Sequence, residues 1–161
     1  MSLLYSSDAF DDFLLIEENV RAGADFNVNG KRNREFFRDE TSAEDESRYD
    51  GSAENSSYVN WGYMRNLSRE LIKGKTLPLK ISIVLMPDEA EKERIFKDTP
   101  YSGNLSIHLI LRIEYSEGNL SLITGTSTDT FLLDKEFEKI WDDRLIKMVE
   151  AMDLDYEAEL D

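Results

Sequence analysis

The chain has 161 residues, 40% of them hydrophobic, with 8 Phe, 7 Tyr and 2 Trp, which suits one folded domain rather than a disordered segment. Its 34 acidic residues against 19 basic ones leave a formal net charge of -15, a field that repels DNA, RNA and anionic membranes and favours basic partners. The lack of cysteine excludes a disulfide framework, a thiolate nucleophile, Cys-ligated zinc and iron–sulfur clusters, and no apolar run approaches a membrane span.

From the N-terminus, residues 1–13 carry no basic segment and are interrupted by Asp8, Asp11 and Asp12. No signal peptide is expected, and the expected location is cytoplasmic. Phe13 to Ile16 is a short apolar run, and Ala24, Phe26 and Val28 then alternate with polar residues up to Asn29-Gly30. That pattern predicts a strand pair over about residues 12–29, ended by a turn. Residues 39–57 consist almost wholly of Asp, Glu, Ser, Asn, Gly, Ala and Thr-type polar or small side chains. They read as a mobile acidic loop.

A helix follows, with Trp61, Met64, Leu67, Leu71 and Ile72 as its expected inner stripe and Gly74 as its stop. Pro78 opens a strand whose inner face is read as Leu79, Ile81, Ile83 and Leu85, and Pro87 closes it. Asp88 to Lys97 is a short charged helix. Leu105, Ile107, Leu109, Leu111, Ile113 and Tyr115 alternate without a break. Ser116-Glu117-Gly118-Asn119 turns the chain into a partner strand running to Leu133, with a bulge expected at Gly125. Asp134 then caps a helix bearing Phe137, Ile140, Trp141, Leu145, Met148 and Met152. The expected fold is α+β, an antiparallel sheet of about five strands with two to three helices packed mainly on one face. Residues 1–152 form a single domain, and 153–161 form an acidic tail.

Several blocks carry a resemblance. Trp61, Arg65, Leu71-Ile72-Lys73-Gly74-Lys75, Pro78 and Lys80 form one. Thr124-Gly125-Thr126-Ser127, Thr130-Phe131, Leu133-Asp134-Lys135 and Trp141-Asp142 form another, joined by Phe10-Asp11, Phe13 and Asn29-Gly30. With these the chain resembles an uncharacterised conserved family, a domain of unknown function, of anaerobic Gram-positive bacteria. The resemblance implies a bacterial cytoplasmic protein and assigns no activity.

Charge is distributed unevenly. Residues 60–80 hold Arg65, Arg69, Lys73, Lys75 and Lys80 against Glu70 alone, and Arg65, Arg69 and Lys73 share one helical stripe. Such a stripe either holds a phosphate, a nucleotide or an acidic peptide, or pairs with the chain's own carboxylates, the 39–57 loop among them. Thr124, Thr126 and Ser127 form a hydroxyl-rich run that either lines a ligand or simply suits a pleated strand. His108 is the only histidine, so a multi-His metal site is excluded and no metal or other cofactor is expected. It reads as a polar residue on a sheet face, with general base as the other reading. The tail from Asp153 to Asp161 imitates the start of a calcium loop but lacks its glycine and its final glutamate.

These features lead first to a non-enzymatic binding or regulatory protein engaging a macromolecular partner, expected to be a basic protein. The alternative is a small anionic-ligand binder using Arg65, Arg69, Lys73 and Lys75 with Thr124, Thr126 and Ser127. A small acid–base enzyme built on carboxylates and His108 is the weakest reading. An open sheet face also leaves room for a homodimer.

Overall fold

The computed structural model describes residues 2–38 and 56–159. Five strands, β1 (Leu14–Arg21), β2 (Asp25–Asn29), β3 (Lys80–Met86), β4 (Ile107–Ser116) and β5 (Asn119–Thr128), form one sheet in the order β2-β1-β3-β4-β5. All neighbours pair antiparallel. The helices among the described residues are α1 (Ser2–Tyr5), α2 (Arg34–Arg38), α3 (Trp61–Leu71), α4 (Glu89–Phe96) and α5 (Glu136–Ala151). The three longer ones are those expected from the sequence. α1 and α2 have only four and five residues, too few for an apolar period to register. The expected acidic loop, apart from its last two residues, lies outside the described residues.

α1, α3, α4 and α5 cover one face of the sheet. Leu15, Val20, Ile81, Ile83, Leu85 and alternate residues of β4 from Ile107 to Tyr115 point into the core beneath them. Trp61 of α3 and Trp141 of α5 close it from above, joined by Phe10, Phe13 and Phe137. The Trp141 indole is fully buried and donates to the Ile110 carbonyl at 3.0 Å, so its one polar atom is satisfied.

Two glycines have geometric causes. Glu117 and Gly118 have φ of 52° and 83° between the paired Ser116 and Asn119, which is the two-residue turn whose twist matches a hairpin. Gly30 acts through space instead. A Cβ there would lie 1.7 Å from the Leu15 carbonyl oxygen, because the Gly30 N–H bonds to Ile16 O while Gly30 O accepts from Val59.

That crowding goes with a bulge. The β1–β3 register shifts between Leu15 and Glu17, and residues 59–61 pair with 13–15 through Leu15 N–H to Val59 O and Trp61 N–H to Phe13 O. The bulge expected at Gly125 is absent: the β4–β5 register runs unbroken from Ile107↔Thr128 to Ser116↔Asn119.

Several other boundaries differ from expectation. β5 ends at Thr128 rather than Leu133, since Asp129 N–H donates to Ser106 O and the chain then turns toward α5. Phe131 and Leu133 are left in solvent. Leu79 and Leu105 sit just before β3 and β4 and are exposed, not core. α3 is rotated from its expected setting. Trp61 and Ser68 are buried and Met64, Arg65 and Ile72 half-buried, while Leu67 and Leu71 face outward at 53% and 47% exposure. The cause lies in the partners beneath: Arg65 and Ser68 are drawn inward by carboxylates of the N-terminal segment and β1.

Candidate functional site

Asp11 is the partner of Arg65. The guanidinium Nε and Nη2 donate to its two carboxylate oxygens, both at 2.8 Å, and Nη1 donates to the Tyr5 carbonyl at 3.2 Å. This bidentate pair, 15% and 29% exposed, fastens the N-terminal segment to α3. The Asp11 hydrogen bonds are the main reason the Arg65 pKa rises. Lys73 reaches Glu70 at 3.4 Å in solvent. Arg69 and Lys75 are exposed and make no ion pair with a described residue. The expected helical stripe does not form. α3 ends at Leu71, before Gly74, so Lys73 and Lys75 lie beyond the helix; of the four cations Arg69 alone is left exposed on it, and Arg65 is engaged inside the fold.

The hydroxyl run divides between the two faces of β5, as successive strand residues must. Thr124 donates to Asp142 of α5 at 2.5 Å, and Thr126 donates to Glu138 at 3.4 Å. Ser127 is exposed on the opposite face. β5 is also three strands from β1, against which α3 packs, a separation of about 14 Å. The fold does not bring the α3 cations and the β5 hydroxyls to one place.

His108 lies on the open face, its Nε2 3.0 Å from Asp129 Oδ1. Ser127 stands directly opposite it across the β4–β5 pair, with no hydrogen bond joining its hydroxyl to the ring. The three side chains share a surface but not the nucleophile–base contact that acyl transfer requires. Among the described residues, no group of three or more His, Asp or Glu side chains is placed to hold a metal ion.

A buried polar cluster escaped sequence reasoning. Glu18 has no exposed surface, and its carboxylate accepts from Tyr5 Oη at 3.0 Å and from Ser68 Oγ at 2.5 Å. Burial raises its pKa, against the pull of the Ser68 and Tyr5 hydrogen bonds. Burial and the nearby Glu18 likewise push the Tyr5 hydroxyl upward. Simple alternation from Leu15 would turn Glu17 inward. The register shift at Ile16 puts Glu18 and Val20 there instead, and the apolar Val20 was the one available signal.

Two surfaces remain for recognition. On the open sheet face, a depression of about 380 Å3 spans β2, β1, β3 and β4, lined by the cations Arg21, Lys80 and Arg112, the carboxylates Asp25 and Glu114, and the neutral Asn19, Asn27 and Ser82. On the other side, α4, α5 and the residues after them are acidic. Residues 134–159 carry ten acidic side chains against four basic ones. Two arginines of this layer, Arg94 and Arg144, converge on the buried Glu91 at 2.9 and 2.6 Å, so part of its positive charge is offset by that carboxylate.

No helix among the described residues is long and apolar enough to cross a membrane. Comparison with curated proteins and with solved structures yields no match. The model of a family described as Family of unknown function (DUF5721) matches residues 3–157, a span that continues past the quoted blocks into the acidic tail. With nearly the whole length matched, the chain belongs to this family of unknown function.

Proposed function

We propose that this chain is a non-enzymatic binding or regulatory protein of the bacterial cytoplasm that engages a basic macromolecular partner, expected to be a protein. The observation that carries this reading is the acidic layer formed by α4, α5 and the residues that follow. Its arginines are turned onto Glu91, while Glu136, Asp143, Glu150, Asp153, Asp155 and Glu157 stay exposed. Carboxylates in that arrangement steer a cationic surface at long range and set its register at contact.

The test is affinity capture from lysate of the source cells at low and high salt. It uses the intact chain and a variant with Asp153→Asn, Asp155→Asn, Glu157→Gln and Glu159→Gln. A stoichiometric basic protein held by the intact chain at low salt, released at high salt and lost from the variant supports the proposal. Capture indifferent to both changes, or no capture, removes it.

A further inference from the structure

We infer that the open face of the sheet binds a small oxyanion, a phosphate- or carboxylate-bearing molecule with neutral hydrogen-bonding groups, in the groove over β2, β1, β3 and β4. The inference is independent of the acidic layer on the other side.

Its basis is a pair of local rules broken side by side. Arg21 of β1 and Lys80 of β3 are direct cross-strand partners, and like charges in that position repel. Neither closes an ion pair with a described residue, although Asp25 stands opposite Arg21 on β2. The next row on the same face reads Asn27, Asn19, Ser82 and Glu114 across four strands in register. Asparagine is depleted in strands, and the side chains of Asn19 and Asn27 hydrogen-bond to no described residue. Asn29, by contrast, is accounted for by accepting the Lys31 N–H at 2.9 Å.

An anion answers both anomalies. Seated between the Arg21 guanidinium and the Lys80 ammonium, it turns a repulsive pair into two charge-assisted contacts. The amides of Asn19 and Asn27 and the Ser82 hydroxyl then read hydroxyls or carbonyls on the ligand's body. Residue size shapes the groove. Asn27, Asn19 and Ser82 on the floor are short, whereas Arg21, Lys80 and Arg112 are long; Asp25 and Glu114 also line the groove, and Glu114 lies 3.8 Å from the Arg112 guanidinium. The resulting depression of about 380 Å3 falls within the range for small-molecule sites. A neighbouring depression of about 370 Å3 shares Asn19 and Asn27 and continues toward Lys31 and Tyr58, leaving space for the body.

A small ligand is favoured over a nucleic acid because the chain's net charge of -15 opposes an extended polyanion. Carboxylates beyond a Debye length of about 8–10 Å act only weakly on a compact anion, and of the two that line the groove, Asp25 and Glu114, the second is paired with Arg112 at 3.8 Å.

The experiment is calorimetric titration of the full chain with ribose 5-phosphate and, separately, with citrate. It is repeated for Arg21→Gln, Lys80→Gln and, as a control on α3, Arg69→Gln. Saturable one-site binding by either probe, weakened on the order of tenfold in Arg21→Gln and in Lys80→Gln and unchanged in Arg69→Gln, establishes the site. Which probe binds tells phosphate from carboxylate recognition. Absence of saturable binding by both probes, or binding that survives both groove substitutions, overturns the inference.

Discussion

Glu18 is where one side chain decides most. A carboxyl whose folded pKa is raised contributes stability that is complete below its unfolded pKa and is lost as pH rises through the folded value. Because burial raises the Glu18 pKa, the native state loses stability as pH climbs above the ordinary glutamate range. Glu18→Gln keeps the shape and carries no charge, and the Tyr5 and Ser68 hydroxyls accept as readily as they donate. The stability advantage of this variant over the parent should therefore grow from acid to neutral pH in urea unfolding. A difference constant with pH would show that Glu18 ionises at no cost. Glu18→Ala instead strands both hydroxyls and leaves a void, costing roughly 2–4 kcal/mol at acid pH, a cost that shrinks as the parent's own Glu18 ionises.

Among the elements, α4 and α5 are joined by one buried carboxylate. Glu91 takes Arg94 from its own helix and Arg144 from α5, while the Asp88 side chain caps α4 by accepting the Glu91 N–H at 2.7 Å. Arg144→Ala should lower stability by about 1–2 kcal/mol in chemical denaturation, the partial exposure of the arginine keeping the loss below that of a sealed pair. An unchanged midpoint would mean that apolar packing alone holds the two helices together. α3 illustrates how an element's setting depends on others. Its sequence offers Leu67 and Leu71 as an inner stripe, but Asp11 and Glu18 draw Arg65 and Ser68 inward. Four polar contacts with buried or half-buried partners outweigh the transfer of two leucines that remain partly covered in either setting.

For the whole molecule, the net charge of -15 means that folding concentrates mutual repulsion. Added sodium chloride at neutral pH should raise the unfolding midpoint by screening that repulsion. A midpoint that falls instead would show that specific pairs such as Arg65–Asp11 and Arg144–Glu91 outweigh it. The charge is also unevenly spread, with cations and carboxylates mixed on the open face. The acidic layer lies over the helices, while Arg21, Lys80 and Arg112 stand on the open face, so one chain offers two surfaces of different chemistry.

The β4–β5 hairpin was legible in the sequence because its information is local. Period-two alternation from Ile107 to Tyr115 and a Glu-Gly turn set strand, face and register together. The same holds for α4, read as a short charged helix behind Asp88, which caps it. It holds too for α5, read from its apolar spacing, although its N-cap is Lys135 and the expected Asp134 stands one residue earlier, accepting the Glu136 N–H. The sequence also determined the fold class, since strands that alternate on one face require cover on that face only. Tertiary structure alone decided the site. The Ile16 bulge, made where residues 59–61 pair with 13–15, chooses Glu18 over Glu17 for the core. The pairing of β1 with β3 sets Arg21 against Lys80 and aligns Asn27, Asn19 and Ser82. Those residues come from separate stretches of chain, and no local pattern reports a neighbour that only strand pairing supplies.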